Sequence, residues 1–365
     1  MKKRYSSLDL LKFLSVIAIG NLLHYRGIGA KFGYSFPLEQ VPILGTLARY
    51  GHFLVELLFL ISGLLACQSY FSRIRENKYS FSKFLKGRIT RLYPAMIASV
   101  LVMAVLQWSH FAYTSARGDG AFFADLQNHT LPDLALSLFG IQNWVSRDLT
   151  VNHPTWYLSI LMLCYLIFYG IAALCRKKDM RLLFLLPVLA GIIILKTGLN
   201  FAMFHSYTAR GLCAFFLGVL LQMLLENAHI KDRTFCLAAL GMLLFCIGFR
   251  LTLPFSLLGD LSLFLSFFVY PALVTLCVKS KLLNRICDCS LFHYLGNISF
   301  GIYLWDSPVY VGFGLFFLCS GKAFDFSSPA VYATIFAVHV LMGILSYHLI
   351  ERPMLRKLSK PKKEE

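Results

Sequence analysis

Charge is what this chain has least of. Lys, Arg, Asp and Glu make up 15% of its 365 residues and hydrophobic residues 58%, whereas a soluble domain carries about a quarter charged residues. That scarcity excludes most water-soluble folds. No period of about 20–50 residues repeats, which excludes solenoids and propellers. The ten cysteines lack metal-ligand spacing, and most lie in apolar stretches, where a thiol behaves as a small hydrophobe. Cys287-Asp-Cys289 is too short and isolated to be a zinc site. The apolar run after Met1-Lys-Lys-Arg-Tyr has no small-residue cleavage site and is too long for a signal peptide, so it is expected to be a retained first span. No soluble domain is expected on either side of the apolar part.

Apolar stretches of about 20 residues, the length that crosses a roughly 30 Å hydrocarbon layer, are abundant. They fall near 8–28, 47–70, 92–113, 155–175, 182–200, 209–226, 234–250, 256–278, 295–318 and 330–350. The expected fold class is an all-α integral membrane protein, a bundle of about ten transmembrane helices. Only Leu253-Pro254 after Arg250 divides the seventh span from the eighth. Charge placement supplies an independent check, because Lys and Arg in short loops concentrate on the cytoplasmic side. With the N-terminus inside, 25 of the 35 Lys and Arg fall in cytoplasmic segments, so both termini are expected to be cytoplasmic. The domain reading is a transmembrane domain over 1–353 and a basic cytoplasmic tail over 354–365. Loops lying against anionic lipid account for the net charge of +17. Membrane lipids, not nucleic acid, are the expected partners, and the expected location is the inner (plasma) membrane.

Ionisable side chains inside a span are expensive unless they face a partner or a polar cavity, so each is a candidate for function. His24 lies about 16 residues into the first span, about 24 Å from the inner face. Glu56 in the second span lies about 17 Å from that face. These depths fit one shared cavity. A carboxylate that fixes the tautomer of His24 would make it a general base, while the same pair also reads as an interhelical hydrogen bond. Asp306 in the ninth span is a third candidate. Arg210 and Lys12 lie nearer span ends, where long side chains snorkel.

At the cytoplasmic entry to the third span, Arg88 and Arg91 are three residues apart, on one face of a helix. Two guanidiniums so placed suit the phosphates of an anionic cofactor, or a positive-inside anchor. Trp156 and Tyr157 open the fourth span and read as interfacial anchors. Ser62 beside Gly63 reads as a helix-packing pair. The stretch from Tyr113 to Pro154, with Asp119, Asp125, Asp133 and Arg147, is long for an outer loop, and such loops are often functional.

Taken together, several segments resemble the acyltransferase-3 family of membrane O-acyltransferases. They are Leu8-Asp9 with Lys12 and His24; Val55-Glu56-Leu-Leu-Phe59-Leu-Ile61-Ser62-Gly63-Leu64; and Phe84 with Arg88, Arg91, Leu92, Tyr93 and Pro94. Pro154-Thr-Trp156-Tyr157-Leu158-Ser159 follows, then Leu295-Gly296-Asn-Ile298-Ser299-Phe-Gly301-Ile302-Tyr303-Leu304-Trp305, and Ser346-Tyr347 leading to Ile350-Glu351-Arg352-Pro353. The resemblance runs from residue 8 to 353. It implies transfer of an acyl group, usually acetyl from cytoplasmic acetyl-CoA, to a hydroxyl of a carbohydrate in or across the bacterial membrane. By the same resemblance His24 matches the catalytic histidine of the first span. Arg88 and Arg91 match the arginine pair associated with the acyl donor, and Glu56 matches an acidic variant before the aromatic Ser-Gly segment. The resemblance also opens a second reading for Ser62, as an acyl-carrying nucleophile, and for Trp156 and Tyr157, as a platform for stacking a sugar.

Three positions depart from the family pattern. The usual arginine of the first span is Lys12, which keeps the charge and loses the planar fork. Eleven residues, not ten, separate it from His24, and one extra residue turns a helix by about 100°. Either the helix carries a bulge or Lys12 is not the equivalent position. Asp306 stands where the Tyr-Leu-Trp segment usually continues with His; an Asp there binds a hydroxyl or orients a histidine. The resulting expectation is an O-acetyltransferase using acetyl-CoA as donor substrate, with no permanently bound cofactor or metal and a carbohydrate acceptor. Two readings from other classes stay open, a carbohydrate or lipid-linked sugar transporter and an inactive sensor-type membrane domain. No inverted repeat or matched pair of Gly/Pro-broken helices supports the carrier.

Overall fold

The computed structural model of the protein describes residues 4–31, 33–117, 130–226, 229–252, 261–321 and 325–359. The chain begins with α1 (Ser6–Ile17), a π-helical segment (Ala18–His24) and α2 (Tyr25–Lys31), followed by α3 (Pro42–Tyr50), α4 (Leu54–Arg75) and α5 (Phe81–Arg117). Two short helices follow, α6 (Leu131–Phe139) and α7 (Gln142–Val145), then α8 (Thr155–Leu174), α9 (Leu185–Thr197) and α10 (Ser206–Leu225). Next are α11 (Asp232–Thr252), α12 (Leu261–Phe264), a second π-segment (Leu265–Val269), α13 (Tyr270–Lys279) and α14 (Lys281–Cys287). The last are α15 (Ser290–Ser320), α16 (Pro329–Leu345), a third π-segment (Ser346–Glu351) and α17 (Arg352–Ser359).

Among the described residues there is no strand beyond one isolated bridge between Phe201 and Phe204, and nine helical stretches are long and apolar enough to cross a membrane. They match nine of the ten expected spans. The other, 182–200, forms a 3-10 turn (Arg181–Phe184) and the 13 residues of α9. At 1.5 Å per residue α9 rises about 20 Å, short of a roughly 30 Å layer. The third span is longer than expected, because α5 runs unbroken for 37 residues through Pro94. Leu253-Pro254, Asp119, Asp125 and both chain ends lie outside the described residues.

The chain divides into two compact, interleaved units. One comprises Met1–Ser15, Phe53–Phe84 and Ile160–Asn297, the other Val16–His52, Leu85–Ser159 and Ile298–Glu365. In the first unit α4 and α10 meet backbone to backbone. A Cβ on Gly63 would collide with Phe215 O, and one on Gly218 with Leu60 O. Gly63 is therefore a packing residue, as small residues are where membrane helices approach closely; Ser62 beside it is half-buried. Phe84 anchors the end of this unit, with Tyr70 edge-on at 5.3 Å and Tyr169 tilted at 5.3 Å.

In the second unit α15 and α16 cross at Gly301 and Gly343. A Cβ on Gly301 would lie 2.8 Å from Ser346 Cβ, and one on Gly343 would collide with Ile302. One helical turn before Gly343 is His339, and five residues after Gly301 is Asp306, so this close crossing brings the two side chains together. Residues 130–154 do not form an open loop. Thr130 and Asp133 form a capping box at the start of α6. Residues 130–154 fold back along α5, with Tyr93 Oη donating to Phe139 O at 2.9 Å and Gln107 Nε2 donating to Val151 O at 3.0 Å. Non-helical backbone within an apolar layer is tolerated where protein surrounds it, and Ser137, Gln142, Asn143 and Asn152 here are fully buried.

Reporter fusions test the expected crossings. Fusions at Lys2 and Glu365 should both report the cytoplasm, and fusions at Met180 and Asn200 should report opposite faces. Opposite readings for the two termini would mean that one crossing has been miscounted.

Candidate functional site

His24 closes the first π-helical segment. Its Nδ1 lies 2.5 Å from Asp306 Oδ2 on α15. Nδ1–H donates to the carboxylate, which leaves Nε2 as the basic nitrogen. Asp306 is buried, while the His24 side chain keeps 28% of its surface exposed, so the base is reachable and its orienting carboxylate is not. The eleven residues between Lys12 and His24 are absorbed by the bulge they require, since Ala18–His24 is π-helical, and single π-turns recur at functional sites. Within it, Gly20 makes room for the carboxylate: a Cβ there would sit 2.7 Å from Asp306 Oδ1.

Asp306 has a second imidazole beside it. His339 Nε2 lies 3.6 Å from Asp306 Oδ1 and 3.4 Å from Asp306 O. His339 is fully buried, and its Nδ1 lies 2.7 Å from Asn21 Oδ1. The Tyr310 ring packs on His339 at 5.0 Å, and its hydroxyl donates to Gly20 O at 2.8 Å. Three helical elements thus contribute to one buried polar knot with His24 at its rim. The His153 ring lies edge-on to His24 at 6.3 Å. Among the described residues, no group of three or more His, Cys, Asp or Glu is arranged to hold a metal ion.

Depth alone sets Glu56 level with His24, but the side-chain partners that Glu56 has in the structure are Arg210 and Ser262. Glu56 belongs to the first unit, where it is 1% exposed. Arg210 grips its carboxylate twice, Nε to Oε1 at 2.7 Å and Nη2 to Oε2 at 2.8 Å, and Ser262 Oγ donates to Oε1 at 2.7 Å. Depth fixes one coordinate of a side chain on a helix; the rotation of the helix, which depth leaves open, decides what it meets. Arg210 accordingly does not snorkel but closes an ion pair. Lys12 also has a local partner, Asp9 Oδ1 at 2.7 Å. Asp9 Oδ2 takes Arg4 Nε at 2.6 Å, and Arg4 Nη2 reaches His293 O and Asn297 Oδ1 at 3.1 Å each. Beside this cluster and outside the spans, hydrogen bonds from His293 and Ser6 hold the Asp288 carboxyl below its usual range.

Arg88 and Arg91 lie in the second unit on α5, half-buried and exposed respectively. Ser99, two turns beyond Arg91, is about 12 Å further along the axis. Trp156 and Tyr157 are corrected: at 4% and 7% exposure they offer a face neither to head groups nor to a sugar, and Tyr157 packs edge-on against Tyr303 at 5.6 Å. His339, Asn21, Tyr310 and His153 are the members of this cluster that the sequence reading passes over. The rule that selects ionisable residues inside spans applies to His339 as it does to His24, and would have found it. Nothing in the local sequence marks Asn21, Tyr310 or His153.

These features define a multi-span helical protein with a buried carboxylate orienting a histidine. The chain belongs to the acyltransferase-3 family, an acyltransferase domain that matches residues 5–348. The exopolysaccharide production protein ExoZ of Rhizobium meliloti (strain 1021) is 30% identical over 216 residues, covering 55% of this chain and 61% of that protein. An uncharacterized protein of Haemophilus influenzae (strain Rd) is 26% identical over 164 residues, covering 42% of this chain and 62% of that protein. The matched stretches therefore span less than two thirds of either relative. No solved structure matches.

The Glu56–Arg210 pair should behave as a structural unit. Glu56→Gln leaves a guanidinium poorly compensated, at about 3–5 kcal/mol for a broken buried pair, and should sharply reduce the folded fraction recovered in detergent. Replacing both residues with Met should restore much of it, because an apolar pair needs no compensation. Fully folded but inactive Glu56→Gln protein would instead return Glu56 to the chemistry.

Proposed function

We propose that the protein is a multi-pass enzyme of the inner (plasma) membrane that transfers an acetyl or other short acyl group from cytoplasmic acyl-CoA to a carbohydrate hydroxyl. The acceptor class is a cell-surface polysaccharide or its precursor. The observation that carries this reading is the contact between His24 Nδ1 and the buried Asp306, which holds Nε2 as a base at a partly exposed position. Family membership supports acyl transfer, and the name of the similar exopolysaccharide production protein supports a polysaccharide acceptor.

In this mechanism Nε2 of His24 takes the proton of the acceptor hydroxyl as its oxygen attacks the thioester carbonyl. The new C–O bond forms, the C–S bond breaks, and the CoA thiolate leaves with the proton returned from the imidazolium. Asp306 stabilises that imidazolium and fixes the tautomer. His339, tied to Asn21, limits the positions Asp306 can take. Arg88 and Arg91 hold the phosphates of the donor, a task for which the planar guanidinium suits better than an ammonium. Glu56 and Arg210 take no part in the proton transfer in this mechanism.

Turnover per folded molecule is the measurement. His24→Ala should fold, bind donor and lose about 10²–10⁴-fold in transfer, the usual range for a positioned base. Asp306→Asn should fold and lose turnover without weakening donor binding. Arg88→Ala and Arg91→Ala should raise the KM for acetyl-CoA, with Lys a partial substitute. Near-normal turnover in His24→Ala would eliminate the base, and a normal donor titration in the double arginine variant would leave the pair as an anchor.

A further inference from the structure

His153 has no part in that mechanism, yet the fold goes to some length to fix it. It is exposed, while both of its neighbours are buried. Asn152 before it is fully buried, and its Nδ2 donates to Ser99 Oγ on α5 and to Leu304 O on α15, each at 3.0 Å. This anchor is kept although Asn152 Oδ1 lies buried with no hydrogen-bond partner among the described residues, an arrangement that costs stability. After His153, Pro154 and Thr155 are buried. Thr155 Oγ1 donates back to Asn152 O at 2.7 Å and accepts from Gln142 Nε2 at 3.2 Å. Leu304 precedes Asp306 by two residues, so the helix that orients His24 also sets the position of His153.

The turn itself uses the backbone of residue 153, whose carbonyl accepts from Trp156 N at 3.2 Å, and any side chain would leave that bond intact. The imidazole lies 6.3 Å from the His24 ring between centroids, at 80°. That separation is too wide for a direct hydrogen bond between the rings. It leaves room for one oxygen between the two rings, a gap that two bent hydrogen bonds of about 2.7–3.2 Å each can bridge.

We propose that His153 is an acceptor-binding residue. Its ring N–H donates to the hydroxyl oxygen whose proton His24 withdraws, and it selects which hydroxyl of a polyhydroxylated acceptor is presented. A hydroxyl donating to His24 and accepting from His153 has two of its directions fixed. A remaining lone pair is available for the thioester carbon. The proposal rests on His24 being the base.

The test uses the full chain in lipid nanodiscs, acetyl-CoA, and purified cell-envelope polysaccharide of the source strain. His153→Phe keeps a ring and removes the donor. It should raise the acceptor KM about tenfold and lower kcat, while the acetyl-CoA KM stays within about twofold. His153→Gln, which restores an N–H donor, should recover part of the loss, and it decides the matter if the Phe variant does not fold. Acceptor KM and kcat within about twofold of wild type in a folded variant would overturn the proposal, as would an equal rise in both KM values. His24→Ala run alongside separates the two readings. If it stays active, the base assignment fails and this one with it. If it is inactive while His153→Phe is normal, only the role of His153 falls.

Discussion

An ionised side chain carried into an apolar layer is costly unless the protein itself supplies its partner, and the interior of each unit reflects that constraint. Glu56 and Asp306, both buried, are each set against basic side chains. The two units do this differently. In one, Glu56 and Arg210 neutralise each other in a two-pronged contact supplemented by Ser262. In the other, Asp306 is shared between His24, which is partly exposed, and His339, which is not. The first arrangement is closed on itself. The second leaves Nε2 of the partly exposed His24 outside the pair.

Local backbone irregularity makes the second arrangement achievable. The π-helical segment Ala18–His24 brings Gly20, Asn21 and His24 to one cluster, and the missing side chain of Gly20 leaves the space that Asp306 Oδ1 occupies. Tyr310 donates to Gly20 O in the same segment. The crossing of α15 and α16 at Gly301 and Gly343 supplies the remaining approach, bringing His339 against Asp306. Small residues here act less as flexible joints than as the absence of volume where two polar side chains must meet.

The stretch 130–154 follows the same logic on a larger scale. A segment of irregular backbone lies back along α5 because its own polar side chains pair internally: Gln142 with Thr155, Asn143 with Arg147 O and Thr150, and Ser137 with Leu149 O and Val151 N. These bonds, with those of Asn152 to Ser99 and Leu304 O, place the exposed His153 beside His24.

What the sequence determined by itself was the solvent and what that solvent forbids. Composition and hydropathy alone required an apolar environment and helices to cross it, because only helices or closed barrels satisfy their backbone there, and nine of ten expected spans appear as long helices. The order of the motifs located the family, and the extra residue before His24 left either a bulge or a non-equivalent Lys12; the segment Ala18–His24 is π-helical. An Asp at 306 was legible as a residue able to orient a histidine. What only the tertiary structure decided was who meets whom. Spacing along a helix gives depth and relative angle, but not the rotation of that helix against its neighbours. Glu56 therefore falls to Arg210 and His24 to Asp306, Lys12 turns to Asp9, and Trp156 and Tyr157 turn inward. His339 and His153 lie far along the chain from His24, and only the close crossing at Gly301 and Gly343 and the anchor at Asn152 bring them to it.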